Sequence, residues 1–262
     1  MRREVHPCRG SRGCRVSFAD SAGVPWEGRS FSENAFSQDD GKELPEITAS
    51  LKAFSEANLS FDQLINSFRQ SRVLIPLVPK AEGKKIGQHG LSVDTSSEMN
   101  IVALEGPDGH PALPIFTSTE NVMAWKSEAR PVPAQFERAL LAAAAEGQTR
   151  VVVNPGQPNW FAIRRPAIEA LAQQQHWTSP DRDERVKALV SAAIKSIPVE
   201  GFRLLPGDPT GQLEADELIV YLKLQKDLNK DQVQEIVPGF LSSLDYQNFN
   251  PLVDSLKITL VS

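Results

Sequence analysis

Apolar positions recur at helical spacing in two blocks early in the chain. Ile47, Leu51 and Phe54 fall on one face of a stretch from Pro45 to Asn58, and Leu64, Ile65 and Phe68 on one face of Ser60 to Gln70. Steps of three and four residues predict two helices, broken at Asn58 to Ser60, with Ser60 as the N-cap of the second. The pattern then changes to short unbroken aliphatic runs, the signature of buried strands. Arg72–Val78, Ile101–Leu104, Ala112–Phe116, Arg150–Val153 and Trp160–Ile163 are of this kind. Gly106-Pro107-Asp108-Gly109 supplies turn chemistry between the second and third, so these two are expected to form a hairpin. Pro114 lacks an N–H. Its strand is therefore expected at a sheet edge, or with that position facing away from its partner. Thr117 and Glu120 stand at capping-box spacing before Val122 and Trp125, and Pro131 and Pro133 end that helical region. An alanine-rich helix is predicted over Gln135–Glu146, and another over Ala167–Gln175 after Arg164-Arg165-Pro166.

Trp177 to Asp183 is polar and contains a proline, and beyond it the pattern restarts. A helix over Glu184–Ile197 is followed by strands at Val199–Leu205 and Glu217–Leu224. A helix from Lys230 to about Leu244, with a kink expected at Pro238, precedes a last strand at Leu256–Val261. The order α-β-β-α-β suits a small sandwich with its own core. The whole chain is thus predicted to be α+β. Residues 1–41 form a disordered or extended arm, 42–178 an N-terminal domain with a mixed sheet and flanking helices, and 184–262 a smaller C-terminal α+β sandwich.

Composition narrows the function classes. The net charge of −5 argues against nucleic acid as a partner, and no apolar run approaches the length of a membrane span. The two cysteines, Cys8 and Cys14, both lie in the arginine-rich first fifteen residues, so the cytoplasm is the expected compartment. With His6 they make a poor zinc signature, and no metal or other cofactor is expected. Those fifteen residues also differ enough from the rest that Val16 is a candidate start. Phe18–Gly41 is polar but carries Phe18, Trp26, Phe31 and Phe36. It reads as an arm whose rings lie on its own core or on a partner.

Candidate chemistry is sparse. The sequence holds no phosphate-binding loop, dinucleotide fingerprint, nucleophile elbow or H-E-x-x-H. Ile86-Gly87-Gln88-His89-Gly90 has the form of a GXXG loop, but lacks the two helices that such a loop must join. His89, His110 and His176 are scattered, with His176 at a helix end. Asp208 and Asp216 have the side chains for acid–base work but sit in turn sequence, where aspartate serves the backbone. Arg164 and Arg165, at a strand-to-helix junction, are the best small-anion candidates. No catalytic residue is assigned. The candidate binding residues are Trp26, Phe31, Arg164 and Arg165.

The stretch LEGPDGHPALPIFTSTENVMAW followed by ARPVP, with DSAGVPWEGRSF and RVLIPLV, resembles the SseB family, named for enhanced serine sensitivity, and its actinobacterial branch most closely. Glu184 onward is similar, more loosely, to that family's C-terminal domain. The resemblance implies the fold above and brings no catalytic residues with it. The expected function is that of a non-enzymatic module binding a protein partner or a small metabolite. The alternative is an enzyme of amino-acid metabolism with an unrecognised site, a link that rests on the family name.

Overall fold

The computed structural model describes residues 36–79 and 99–261. The chain from Asp39 onward forms one compact unit. The basic N-terminal stretch with His6, Cys8 and Cys14, the alternative start at Val16, and the rings of Phe18, Trp26 and Phe31 lie outside the described residues. So does the Ile86–Gly90 loop with His89.

Helices α1 (Pro45–Ser55) and α2 (Phe61–Ser67) form the expected pair, with Ser60 at the cap position, where its N–H donates to Gln63 Oε1 at 2.9 Å. Two sheets follow. In the first, β1 (Arg72–Pro79) lies between β2 (Met99–Ile101) and β5 (Arg130–Gln135), antiparallel to both. In the second the order is β3 (Leu104–Glu105), β4 (Pro111–Ile115), β6 (Arg150–Val153) and β7 (Phe161–Arg164). There β4 and β6 run parallel and the outer pairs antiparallel. A bridge joins the sheets, with Leu74 and Phe116 exchanging N–H···O bonds of 2.8 and 2.9 Å.

The prolines explain what the sequence pattern misplaced. β4 is interior, so of the two alternatives for Pro114 the second holds. Pro111 O and Ile115 O accept bonds from Thr149 N–H and Asn154 N–H on the β6 side, whereas Phe116 faces Leu74. Alternate residues face alternate sides, so Pro114 points its missing N–H away from β6. It falls into the gap between the pairing of Ala112 with Leu104 and the Leu74–Phe116 bridge. β5, RPVPAQ, read only as the end of a helix. Pro133 lies opposite Leu74 and Pro131 opposite Pro76. Leu74 spends its N–H and C=O on Phe116, away from β5. The pairs Leu74–Pro133 and Pro76–Pro131 are therefore the non-hydrogen-bonded ones, the only positions where a proline costs the ladder nothing. The run expected over Ile101–Leu104 is split between the two sheets.

Helix α3 (Thr119–Trp125) is capped one residue later than the spacing predicts. Ser118 Oγ accepts from Asn121 N–H at 3.2 Å. Thr117 is occupied elsewhere: its N–H donates to Asn154 Oδ1 at 2.9 Å, and its hydroxyl accepts from Asn154 Nδ2 at 2.9 Å. Helices α4 (Phe136–Ala145) and α5 (Arg165–Ala172) cover one face of the second sheet together with α1 and α2. Phe61 links this core to the chain beyond it, meeting Phe161 edge-on at 5.8 Å and Trp177 at 6.2 Å.

The last third has its own core, built from Val186, Val190, Val220, Leu222, Ile236 and Phe240 among others. Helix α6 (Glu184–Ala193), a short 3-10 turn, and α7 (Lys230–Ser243) pack on a sheet ordered β10 (Leu256–Val261), β9 (Leu218–Leu224), β8 (Val199–Pro206). β9 is antiparallel to β8 and parallel to β10. A one-turn helix, α8 (Tyr246–Phe249), precedes β10. α7 runs unbroken through Pro238, which stands on its exposed side. The fold is α+β. Among the described residues no helix is long and apolar enough to cross a membrane.

Candidate functional site at the seam between the lobes

The second sheet is buried on both faces. On the face away from α4 and α5, Ala112, Val152 and Ala162 lie under Leu213, which comes from the β8–β9 loop. That loop also pairs with the β7 edge, where Ala162 N–H donates to Gly211 O at 2.7 Å. Gly211 has φ +69°, and a Cβ there would overlap the Phe61 ring. Only glycine fits this approach.

At the end of this face stand two arginines. β6 begins at Arg150 and β7 ends at Arg164, and the antiparallel register places them directly opposite each other. Like charges in that position repel. Asp254, from the loop before β10, resolves the conflict by lying between them. Arg150 Nη1 and Nη2 donate to its two oxygens at 3.0 and 2.7 Å, and Arg164 Nη1 lies 3.4 Å from Oδ2. Each arginine has a second carboxylate: Arg150 Nε donates to Asp108 at 2.8 Å, and Arg164 Nη2 to Asp208 at 2.7 Å. Burial works against the Asp108 carboxylate, but its bond to Arg150 prevails and holds its pKa below the usual range. Burial likewise opposes the charge of Arg164, and its bond to Asp208 outweighs that and raises its pKa.

Glu217 completes the cluster. Its Oε2 accepts from Asp254 N–H at 2.6 Å, and its own N–H donates to Ser255 Oγ at 2.9 Å. Burial, with the Asp254 carboxylate adding to it, pushes its pKa up to about 7, against the pull of the Asp254 N–H and the two arginines. The charges agree with this: three aspartates against two arginines leave a surplus carboxylate before Glu217 is counted.

Beside this cluster a cleft of about 380 Å³ opens along the seam. α5 supplies Glu169, the following turn Gln173 and His176, the start of α6 Asp183 and Arg185, and the loop before β10 Leu252. Its carboxylates are paired: Arg185 Nη2 with Asp183 at 2.6 Å and Arg165 Nη1 with Glu169 at 3.3 Å. Burial opposes the charge of Asp183, and the hydrogen bonds from Arg185 overcome it and lower its pKa.

The sequence-predicted residues are distributed as follows. Arg164 sits inside the cluster, with donors also committed to Ala215 O and Ser255 Oγ. Arg165 reaches the opposite lobe by donating to Asn250 O at 2.6 Å, and through Glu169 it borders the cleft. Asp208 accepts from Arg164 and from the N–H groups of Gln212 and Leu213. The carbonyl of Asp216 lies against Gly207. His110 is exposed in the β3–β4 turn, and His176 lines the cleft. Asp254, Glu217 and Asp183 were not singled out from the sequence. Arg150 was within reach of it. Two four-residue apolar strands joined by a turn, one starting and one ending in arginine, pair those arginines in the simplest antiparallel register. Among the described residues no group of histidine, cysteine and carboxylate side chains is placed to hold a metal ion.

No curated protein matches the chain in sequence. Residues 47–170, which span the first lobe from α1 into α5 and include both cluster arginines, match the family model described as SseB protein N-terminal domain, so the chain carries the N-terminal domain of the SseB family.

Proposed function

We propose that this chain is a binding module rather than a catalyst, and that the cleft along the seam takes a small polar ligand. The observation that carries this reading is the cleft's composition. Side chains from both lobes converge on one concavity of a size suited to a metabolite, and its walls alternate carboxylate, guanidinium, amide and imidazole. A ligand bearing both an anionic and a cationic group would exchange partners with the Arg185–Asp183 and Arg165–Glu169 pairs without leaving any charge unpaired. Amino acids fit that description, serine among them. The buried cluster next to the cleft supports a binding role, because its arginines and aspartates are committed to one another and Glu217 lines none of the clefts described above.

The test is calorimetric titration and thermal shift with a panel of amino acids and other small zwitterions. Two exposed cleft positions supply the variants, Gln173→Trp to fill the cleft and Arg185→Ala to remove its guanidinium. A compound that binds the parent chain and neither variant supports the reading. A panel without a binder, or binding that both variants retain, defeats it.

A further inference from the structure

The outward face of the C-terminal sheet is unlike the rest of the molecule. The register defines three rows across it. Lys257, Ile219 and Leu205 form the first, Thr259, Tyr221 and Arg203 the second, and Val261, Lys223 and Gly201 the third. The opposite side chains of β9, Leu218, Val220 and Leu222, are fully buried against α6 and α7. Among the described residues no helix covers the outward ones: Arg203, Lys223 and Lys257 are exposed, as are Leu205 and Val261 at 37% and 36%.

Three cations share this face with one carboxylate, Glu200, which pairs with Lys223 at 2.5 Å. Among the described residues, the side chains of Arg203 and Lys257 take part in no ion pair or hydrogen bond. The face is therefore positive by two charges on a chain whose net charge is −5. It is also concave. A hollow of about 420 Å³ is bounded by Phe202, Arg203, Tyr221, Lys223 and Val261. Its floor is Gly201, where a Cβ would meet nothing within 4 Å. The strand is bulged between Val199 and Gly201, which opens the hollow beside Tyr221.

We infer that this face is a docking site for a carboxylate-rich peptide segment of a partner protein, one apolar side chain of which enters the hollow over Gly201 against Tyr221. Charge selects the class of partner: a local excess of cations attracts an acidic surface and repels the same face of a second copy. The aliphatic side chains select a peptide over a nucleic-acid strand. Tyr221 is the one ring among these outward residues, and stacked bases need a succession of rings, whereas Leu205, Ile219 and Val261 suit apolar side chains. Arg203 borders the hollow as an unpaired donor for carboxylates, and Lys257 offers a second two rows away on the same face.

The experiment is selection of a displayed random peptide library on the full chain. Affinity of the enriched peptide is then measured by fluorescence anisotropy for the parent and for Arg203→Glu, Lys257→Glu and Gly201→Trp. All three positions are open to solvent, and circular dichroism melts verify that the variants stay folded. The expected consensus combines several acidic residues with one large apolar residue. Each charge reversal and the filled hollow should weaken binding about tenfold or more, and added salt should weaken it further. Failure to enrich any peptide, a consensus without acidic residues, or parent-like affinity in all three variants would overturn the proposal. So would a single-stranded RNA oligonucleotide that outcompetes the selected peptide.

Discussion

Replacing Glu217 by glutamine should stabilise the protein, and only above a definite pH. In the folded chain the carboxyl's pKa is raised from its ordinary 4.5 to about 7. Below pH 4.5 it is protonated in both folded and unfolded chains and contributes nothing to pH dependence. Between 4.5 and about 7 the folded state holds a proton that the unfolded state has released, so stability falls as pH rises. Above pH 7 the loss is complete. At about 1.4 kcal/mol per pKa unit it amounts to about 3 kcal/mol. Glutamine keeps an oxygen to accept the Asp254 N–H and carries no charge at any pH. Urea unfolding of parent and E217Q at pH 5 and pH 8 reads the difference. The variant should be close to the parent at pH 5 and about 3 kcal/mol more stable at pH 8, with the denaturant slope unchanged. An effect of the same size at both pH values, or a variant less stable at pH 8, would show that folding does not raise the pKa of Glu217 and would refute the reasoning.

Three further outcomes follow from the same contacts. Asp254→Ala leaves Arg150 and Arg164 facing each other without the carboxylate between them, and should cost about 3–5 kcal/mol in urea unfolding. Gly211→Ala should lower the melting temperature far more than Gly109→Ala. Both have positive φ, but a Cβ at Gly211 meets the Phe61 ring whereas one at Gly109 meets nothing within 4 Å. Asn229→Ala removes the oxygen that accepts from Gln232 N–H at the start of α7 and should cost about 1 kcal/mol by the same unfolding measurement.

The elements that were legible in the sequence are those whose patterns are local. Helical spacing found α1, α2, α4, α6 and α7 to within a few residues, and RVVV and WFAI, the latter one residue ahead of the observed β7, read directly as buried strands because both faces of their sheet are covered. The misreadings came where one residue type serves two structures. Proline ends a helix, but Pro131 and Pro133 are spaced two apart, which is also the spacing of the non-hydrogen-bonded positions of an antiparallel strand. Threonine caps a helix, but Thr117 is claimed by Asn154, thirty-seven residues away. The cluster at the seam was hidden for a stronger reason. Asp108, Arg150, Arg164, Asp208, Glu217 and Asp254 come from five separate segments, and beyond the pairing of Arg150 with Arg164 nothing in their spacing reports the others. Arg164 was singled out as an anion-binding residue, and the anions within its reach are carboxylates of the same chain.

The loop from α8 to β10 gives the cleft and the cluster a common wall. Its Asn250 carbonyl receives Arg165, its Leu252 lines the cleft, its Asp254 separates the two arginines, and its Ser255 holds both Arg164 and the Glu217 N–H. Only Val253 of this loop is fully anchored in the C-terminal core. A change at Asp254 or Glu217 therefore alters the support of Leu252, and a ligand that displaces Leu252 strains the bonds of Asp254. The two sites share backbone, so their substitution energies should not add. A loss of ligand binding in an Asp254 variant would not by itself place Asp254 in the cleft. Gln173→Trp avoids this ambiguity, because α5 and the turn after it are held by the other lobe. It removes space from the cleft without touching the cluster, and the pH dependence assigned to Glu217 should survive it unchanged.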